Sequence, residues 1–145
     1  MPTVVDDLRA VRLFSGLSQR QLRQLARLVK ERQFSPGVTV VKEGTMSGVG
    51  FFVVAEGEAA VSVDGIEIAR IGPGDHFGEL ALITEDARSA TVTAATRLRC
   101  HAIAFWDFRK FAKDNPDVAW KLLQHVAGLL TSERERRARA SLSVG

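Results

Sequence analysis

Apolar residues change their spacing twice along this chain, near residue 34 and again near residue 104. Ahead of the first change, Leu22, Leu25, Ala26, Leu28 and Val29 recur at helical intervals with Arg and Gln between them. Ser18 stands where an N-cap would, and Gln21 three residues later completes a capping-box pattern. Leu8, Val11, Leu13 and Phe14 form a shorter apolar segment before it. The pattern predicts a helical segment over residues 1–34.

Residues 35–104 alternate instead. Short runs rich in Val, Ile, Phe and Thr lie between glycines, and eight of the twelve glycines fall between Gly44 and Gly78. Strands are predicted at Val38–Val41, Gly50–Ala55, Glu58–Val63, Ile66–Ile71, Ala90–Ala94 and Leu98–Ile103. Asp64-Gly65 separates two of them and signals a two-residue hairpin, whose central positions both need positive φ. Many short strands with regular turns predict a sandwich or a barrel-like β-roll.

Residues 105–140 return to helical spacing. Phe105, Phe108, Phe111 and Ala112 suit one short helix. Asn115-Pro116 then opens another, with Pro where its missing N–H costs least. Val118, Leu122, Val126, Leu129 and Leu130 give this longer helix an apolar stripe that must be buried against the β-roll, a second copy, or both.

Length and composition change this picture little. One core suits 145 residues, with 46% hydrophobic and 26% charged positions. No apolar run approaches the roughly 18 residues of a membrane span. The opening residues lack the basic-then-apolar order of a signal peptide, and a lone cysteine, Cys100, forms no internal disulfide. A cytoplasmic location is therefore expected. The charge of +3 is concentrated in Arg134-Glu135-Arg136-Arg137-Ala138-Arg139, read as a solvated helix face. His76, His101 and His125 are scattered without paired spacing, so no metal site is expected. Cys100 reads as a small buried side chain, and Trp106 and Trp120 as packing residues.

The chemistry gathers in Phe77–Val92, between two β-type runs. Its apolar piece Leu80–Ile83 reads as a single helical turn begun by Gly78. Unpaired N–H groups at a helix start face outward and accept an anion, and glycine lets a ligand approach the backbone. Arg88 offers a planar fork that matches two phosphate oxygens, and Ser89 adds a hydroxyl beside it. Glu79 would repel a phosphate, but a carboxylate accepts a hydrogen bond from a neutral ribose hydroxyl.

Gly78-Glu79-Leu80-Ala81-Leu82 followed by Arg88-Ser89-Ala90-Thr91-Val92 resembles the phosphate-binding cassette of the cyclic-nucleotide-binding domain family, which includes the catabolite activator protein and the regulatory subunits of cyclic-AMP-dependent kinase. Leu13-Phe14-Ser15-Gly16-Leu17-Ser18, Phe34-Ser35-Pro36-Gly37 with Lys42-Glu43-Gly44, Phe52–Glu58 and Gly72–Glu79 resemble other stretches of that family. The likeness runs over roughly residues 8–135. It implies an α+β fold, mainly β: a jelly-roll-like β-roll (a double-stranded β-helix) flanked by N-terminal helices and a long C-terminal helix. The organisation it suggests is one domain over residues 1–145, with a helical segment at 1–34, the roll at 35–104 carrying the cassette at 77–92, and helices at 105–140.

The resemblance also implies a sensor rather than an enzyme. Its ligand would be a cyclic nucleotide, cyclic AMP ahead of cyclic GMP, with no other cofactor. Gly78, Leu80 and Ala81 would contribute backbone contacts, Glu79 the ribose contact and Arg88 the cyclic phosphate contact, with Ser89 and Ala90 completing the pocket. The helix at 116–139 would close over the base, where Glu133 and Arg134 are candidates for base contacts. Ala87 departs from the proline common before that arginine, which loosens the loop without removing a ligand contact. A homodimer through the C-terminal helix is a further expectation, with the effector unidentified. DNA binding is not expected, because no helix-turn-helix follows the long helix. The competing reading is the same fold without ligand, acting as an interaction or dimerisation module. A metal-dependent β-barrel enzyme would need clustered His and carboxylate ligands, which the sequence lacks.

Overall fold

A computed structural model describes residues 3–42, 50–78 and 90–144, with some side chains beyond residue 125 left out of that description. Four α-helices and eight strands make up the described part. Helix α1 (Val4–Arg9), a 3-10 turn (Arg12–Phe14) and α2 (Gln19–Ala26) come first. Strands β1 (Val29–Phe34), β2 (Thr39–Val41), β3 (Phe51–Glu56), β4 (Ala59–Val63), β5 (Ile66–Ile71), β6 (His76–Phe77), β7 (Thr91–Ala94) and β8 (Leu98–Ile103) follow. Helices α3 (Phe105–Asp114) and α4 (Pro116–Val144) end the fold.

The strands form two antiparallel four-stranded sheets, ordered β1-β8-β3-β6 and β2-β7-β4-β5. Their inner faces enclose Phe52, Val54, Ala59, Phe77, Val92, Ala94, Leu98, Cys100 and Ala102. The first sheet is covered on its other face by the helices. Phe51, Val53 and Ile103 meet Leu8, Phe14, Leu22, Leu25, Phe108, Phe111 and Val118 there. Strand side chains alternate between faces, so β3 sends Phe51 and Val53 to the helices and Phe52 and Val54 inward. Its first four residues are all buried.

The local signals act as their chemistry requires. Ser18 accepts a hydrogen bond from the Gln21 N–H, and the Gln21 side chain accepts one from the Ser18 N–H. A second capping box joins Thr3 and Asp6 at the start of α1. Asp64 and Gly65 take φ of 52° and 79°, the positive pair that a two-residue hairpin between β4 and β5 demands. Asn115 precedes α4 and ties three helices together. Its amide donates to the Phe111 carbonyl and its oxygen accepts from Gln21, both at 2.9 Å.

Three readings of the sequence need correction. Residues 1–34 are not helical throughout: α2 stops at Ala26, and Val29–Phe34 is strand β1. Lys30-Glu31-Arg32-Gln33 is exposed, so no alternation of burial marks it, and its place is set by pairing with β8. The two-residue strand β6 is too short for a periodic signal and is held by Phe52 and Val53 of β3. Trp106 and Trp120 are not packing residues; they are 64% and 61% exposed.

Candidate functional site

The stretch predicted to bind a ligand begins where β6 ends. β6 lies at the edge of the helix-covered sheet, and β7 lies inside the opposite sheet. The chain between Phe77 and Thr91 therefore passes from one sheet to the other. Phe77 anchors the near side, its ring stacked on Phe52 with centroids 4.9 Å apart and planes 7° apart. Gly78 follows with φ of 92°, a conformation that L side chains rarely adopt. On the far side, the half-buried Ala90 leads into β7, where Val92 is buried between the sheets.

Of the predicted site residues, Gly78 and Ala90 are thus placed at the two margins of the segment. Glu79, Leu80, Ala81, Arg88 and Ser89 lie outside the described residues, as does the predicted turn Leu80–Ile83. Glu133 and Arg134 fall on α4, whose backbone is helical there; their side chains lie outside the description. Val118 and Leu122, the first positions of the predicted apolar stripe, are buried in the helical core.

The other reactive groups have structural settings. Cys100 is buried between the sheets, and loss of solvent pushes its thiol up to about 12, the nearby Arg99 charge opposing only in part. It therefore stays a neutral thiol at ordinary pH. Among the described residues no three His, Cys, Asp or Glu side chains are grouped to hold a metal ion. No described helix is long and apolar enough to cross a membrane.

Two polar clusters escaped the sequence analysis, because their members are far apart in the chain. One lies on the helix-facing side of β8. The Arg99 guanidinium donates to Glu31 at 3.0 Å and to Glu56 at 2.8 Å, while the buried His101 Nε2 lies 2.8 Å from an Asp7 oxygen of α1. Hydrogen bonding to Glu56, ahead of Glu31, raises the Arg99 pKa against the opposing effect of burial. The other brings His76 of β6 against His125 of α4, with ring centroids 4.9 Å apart.

Comparison with known proteins agrees with this architecture. The cyclic nucleotide-binding domain family matches over residues 31–115, across both margins of the segment just described. A cGMP-dependent protein kinase of Toxoplasma gondii is 36% identical over 96 residues, covering 66% of this chain and 10% of the kinase. The N-terminal domain of a transcriptional regulator from Streptomyces coelicolor superposes with a TM-score of 0.72 and 33% identity, covering 90% of this chain and 96% of that one. The regulatory domain of Toxoplasma gondii PKA, solved with cAMP, superposes with a TM-score of 0.70 and 27% identity over 92% of this chain and 49% of that one. The chain spans only 10% to 30% of the length of the curated relatives it matches. The antiparallel β-roll with its flanking helices is thus a shared architecture, and with more than half of its residues matched, this chain belongs to the cyclic nucleotide-binding domain family.

Proposed function

We propose that this chain binds a cyclic nucleotide in the segment 77–92 and signals occupancy through α4, as a regulatory rather than a catalytic unit. The observation that carries the reading is the family match running through this segment, joined to the left-handed backbone of Gly78 at its margin. Backbone N–H groups from Gly78, Leu80 and Ala81 face the sugar-phosphate. Arg88 clamps the cyclic phosphate through charge-assisted hydrogen bonds, with Ser89 and Ala90 beside it. Glu79 accepts the hydrogen bond of the ribose 2′-hydroxyl. Glu133 and Arg134 approach the base from α4. Cyclic AMP is placed ahead of cyclic GMP because a solved relative holds it; the cGMP-dependent relative keeps the second nucleotide as the comparison ligand.

Isothermal titration with both nucleotides tests the assignment. Each charge-assisted bond is worth about 1.5–3 kcal/mol, so Arg88→Ala should weaken binding about 100-fold or more. Equal affinities for the two proteins would remove Arg88 from the site. A second reading, an interaction or dimerisation module without ligand, is favoured by the exposure of Trp106, Trp120 and Leu123, at 64%, 61% and 55%. Thermal melts separate the two, since a ligand that binds only the folded chain raises the midpoint. No shift at millimolar cyclic AMP or cyclic GMP would select the module.

A further inference from the structure

The two residues of β6 face opposite sides of their sheet. Phe77 stacks on Phe52 between the sheets, whereas His76 meets Phe51 and His125 on the helical side. On that helical side a cleft of about 600 Å³ opens between the 3-10 turn, the Gly74–His76 run and the early part of α4. It is lined by Arg12 and Lys121 together with His76 and His125. Among the described residues Asp75 is the only carboxylate on its wall, and an oxygen of Asp75 already accepts the Gly72 N–H at 2.8 Å. Arg12 and Lys121 have no carboxylate partner among the described residues. The Lys121 ammonium is laid over bare backbone at Gly16, where a methyl group would sit 2.6 Å from Nζ.

Two cations without a carboxylate partner among the described residues, facing one concave space, raise the local concentration of anions. A guanidinium binds a phosphate through a planar fork, and an ammonium adds a compact charge. The volume suits a small organic molecule rather than a bare ion alone. We propose that this cleft is a second ligand site, separate from the segment 77–92, and that it takes a small phosphomonoester or inorganic phosphate dianion between Arg12 and Lys121. The site does not depend on the cyclic-nucleotide reading, since none of its residues belongs to that segment.

The test is calorimetric titration of the whole chain at low salt with inorganic phosphate and with glycerol 2-phosphate, each repeated in saturating cyclic AMP. Both probes should bind with and without cyclic AMP, glycerol 2-phosphate the tighter of the two. Arg88→Ala should still bind both probes, since the cleft keeps Arg12 and Lys121. The double variant Arg12→Gln, Lys121→Gln should weaken both about tenfold or more, through loss of charge-assisted bonds. Arg12 is exposed and Lys121 half-buried, and a ligand-free melt checks that the double variant folds. The single variant Arg12→Gln, expected to lose affinity several-fold, serves if it does not. Loss of phosphate binding in Arg88→Ala, displacement of phosphate by cyclic AMP, unchanged binding in the double variant, or no binding at all would each overturn the second site. If cyclic AMP proves not to bind, the Arg88 and double-variant titrations still decide the matter.

Discussion

The two faces of the first sheet solve the same burial problem with different side chains. Toward the helices, β3 presents Phe51, which touches Phe14 at 6.0 Å and Phe108 at 5.5 Å between ring centroids. Toward the opposite sheet, β8 presents Leu98, Cys100 and Ala102, which meet Val54, Ala59, Val92 and Ala94. Stacked sheets stand about 10 Å apart, so side chains from both inner faces must share a thin layer. Helices approach a sheet as ridged cylinders and leave deeper hollows, which large rings fill. Aromatic rings inside the roll include the Phe52–Phe77 stack, next to the segment proposed to hold the ligand, and the partly buried Phe34. The faces differ in polarity too. The inner face of β8 is apolar, while its helical face also carries Arg99 and His101 to partners on α1, β1 and β3.

Removing a ring from the helical face should do the greatest damage. Phe51 is fully buried, so Phe51→Ala should cost about 3–5 kcal/mol in urea-induced unfolding. A loss below about 1 kcal/mol would mean that the helical layer collapses freely onto the sheet. The thin inter-sheet layer should resist added volume instead. Ala102→Leu should cost about 1–3 kcal/mol by overpacking, and a neutral or stabilising result would show spare room between the sheets.

The smallest effect separates the faces by charge. The Arg99 side-chain hydrogen bond, followed by that from Gln33, holds the Glu31 carboxyl below its usual range. A carboxylate with a lowered folded pKa adds stability above its unfolded pKa and loses it as the pH falls through the folded value. The contribution is therefore present at neutral pH and fades as the pH drops below about 4.5. Glu31 is exposed, so the effect is small. Arg99→Gln should flatten the acid side of a Tm-against-pH curve, whereas Ala102→Leu should lower the curve without changing its acid slope. Parallel curves for Arg99→Gln and the parent would deny the network this role.

Much of the fold was legible because it rests on local rules. A serine followed by glutamine at the third position makes a capping box whatever surrounds it, and Asp64-Gly65 takes positive φ with little help. The alternation of β7 specified a strand because one of its faces is buried between the sheets and the other is only partly covered. The residue types of the proposed site were legible for the same reason: Gly78, Glu79 and Arg88 carry their chemistry in the sequence. Their proposed convergence on one ligand is a matter of three-dimensional placement, and the described structure fixes only the margins at Gly78 and Ala90.

By itself, the sequence determined the capped helix start, the tight hairpin, the alternation of the inner strands and the chemical types gathered in 77–92. Each depends on residues a few positions apart. Only the tertiary structure decided that polar Lys30–Gln33 would be a strand, that β6 and β7 would lie in different sheets, and that His76 would meet His125 beside Arg12 and Lys121. Those outcomes follow from hydrogen-bond pairing and burial between segments far apart in the chain, which no local periodicity encodes.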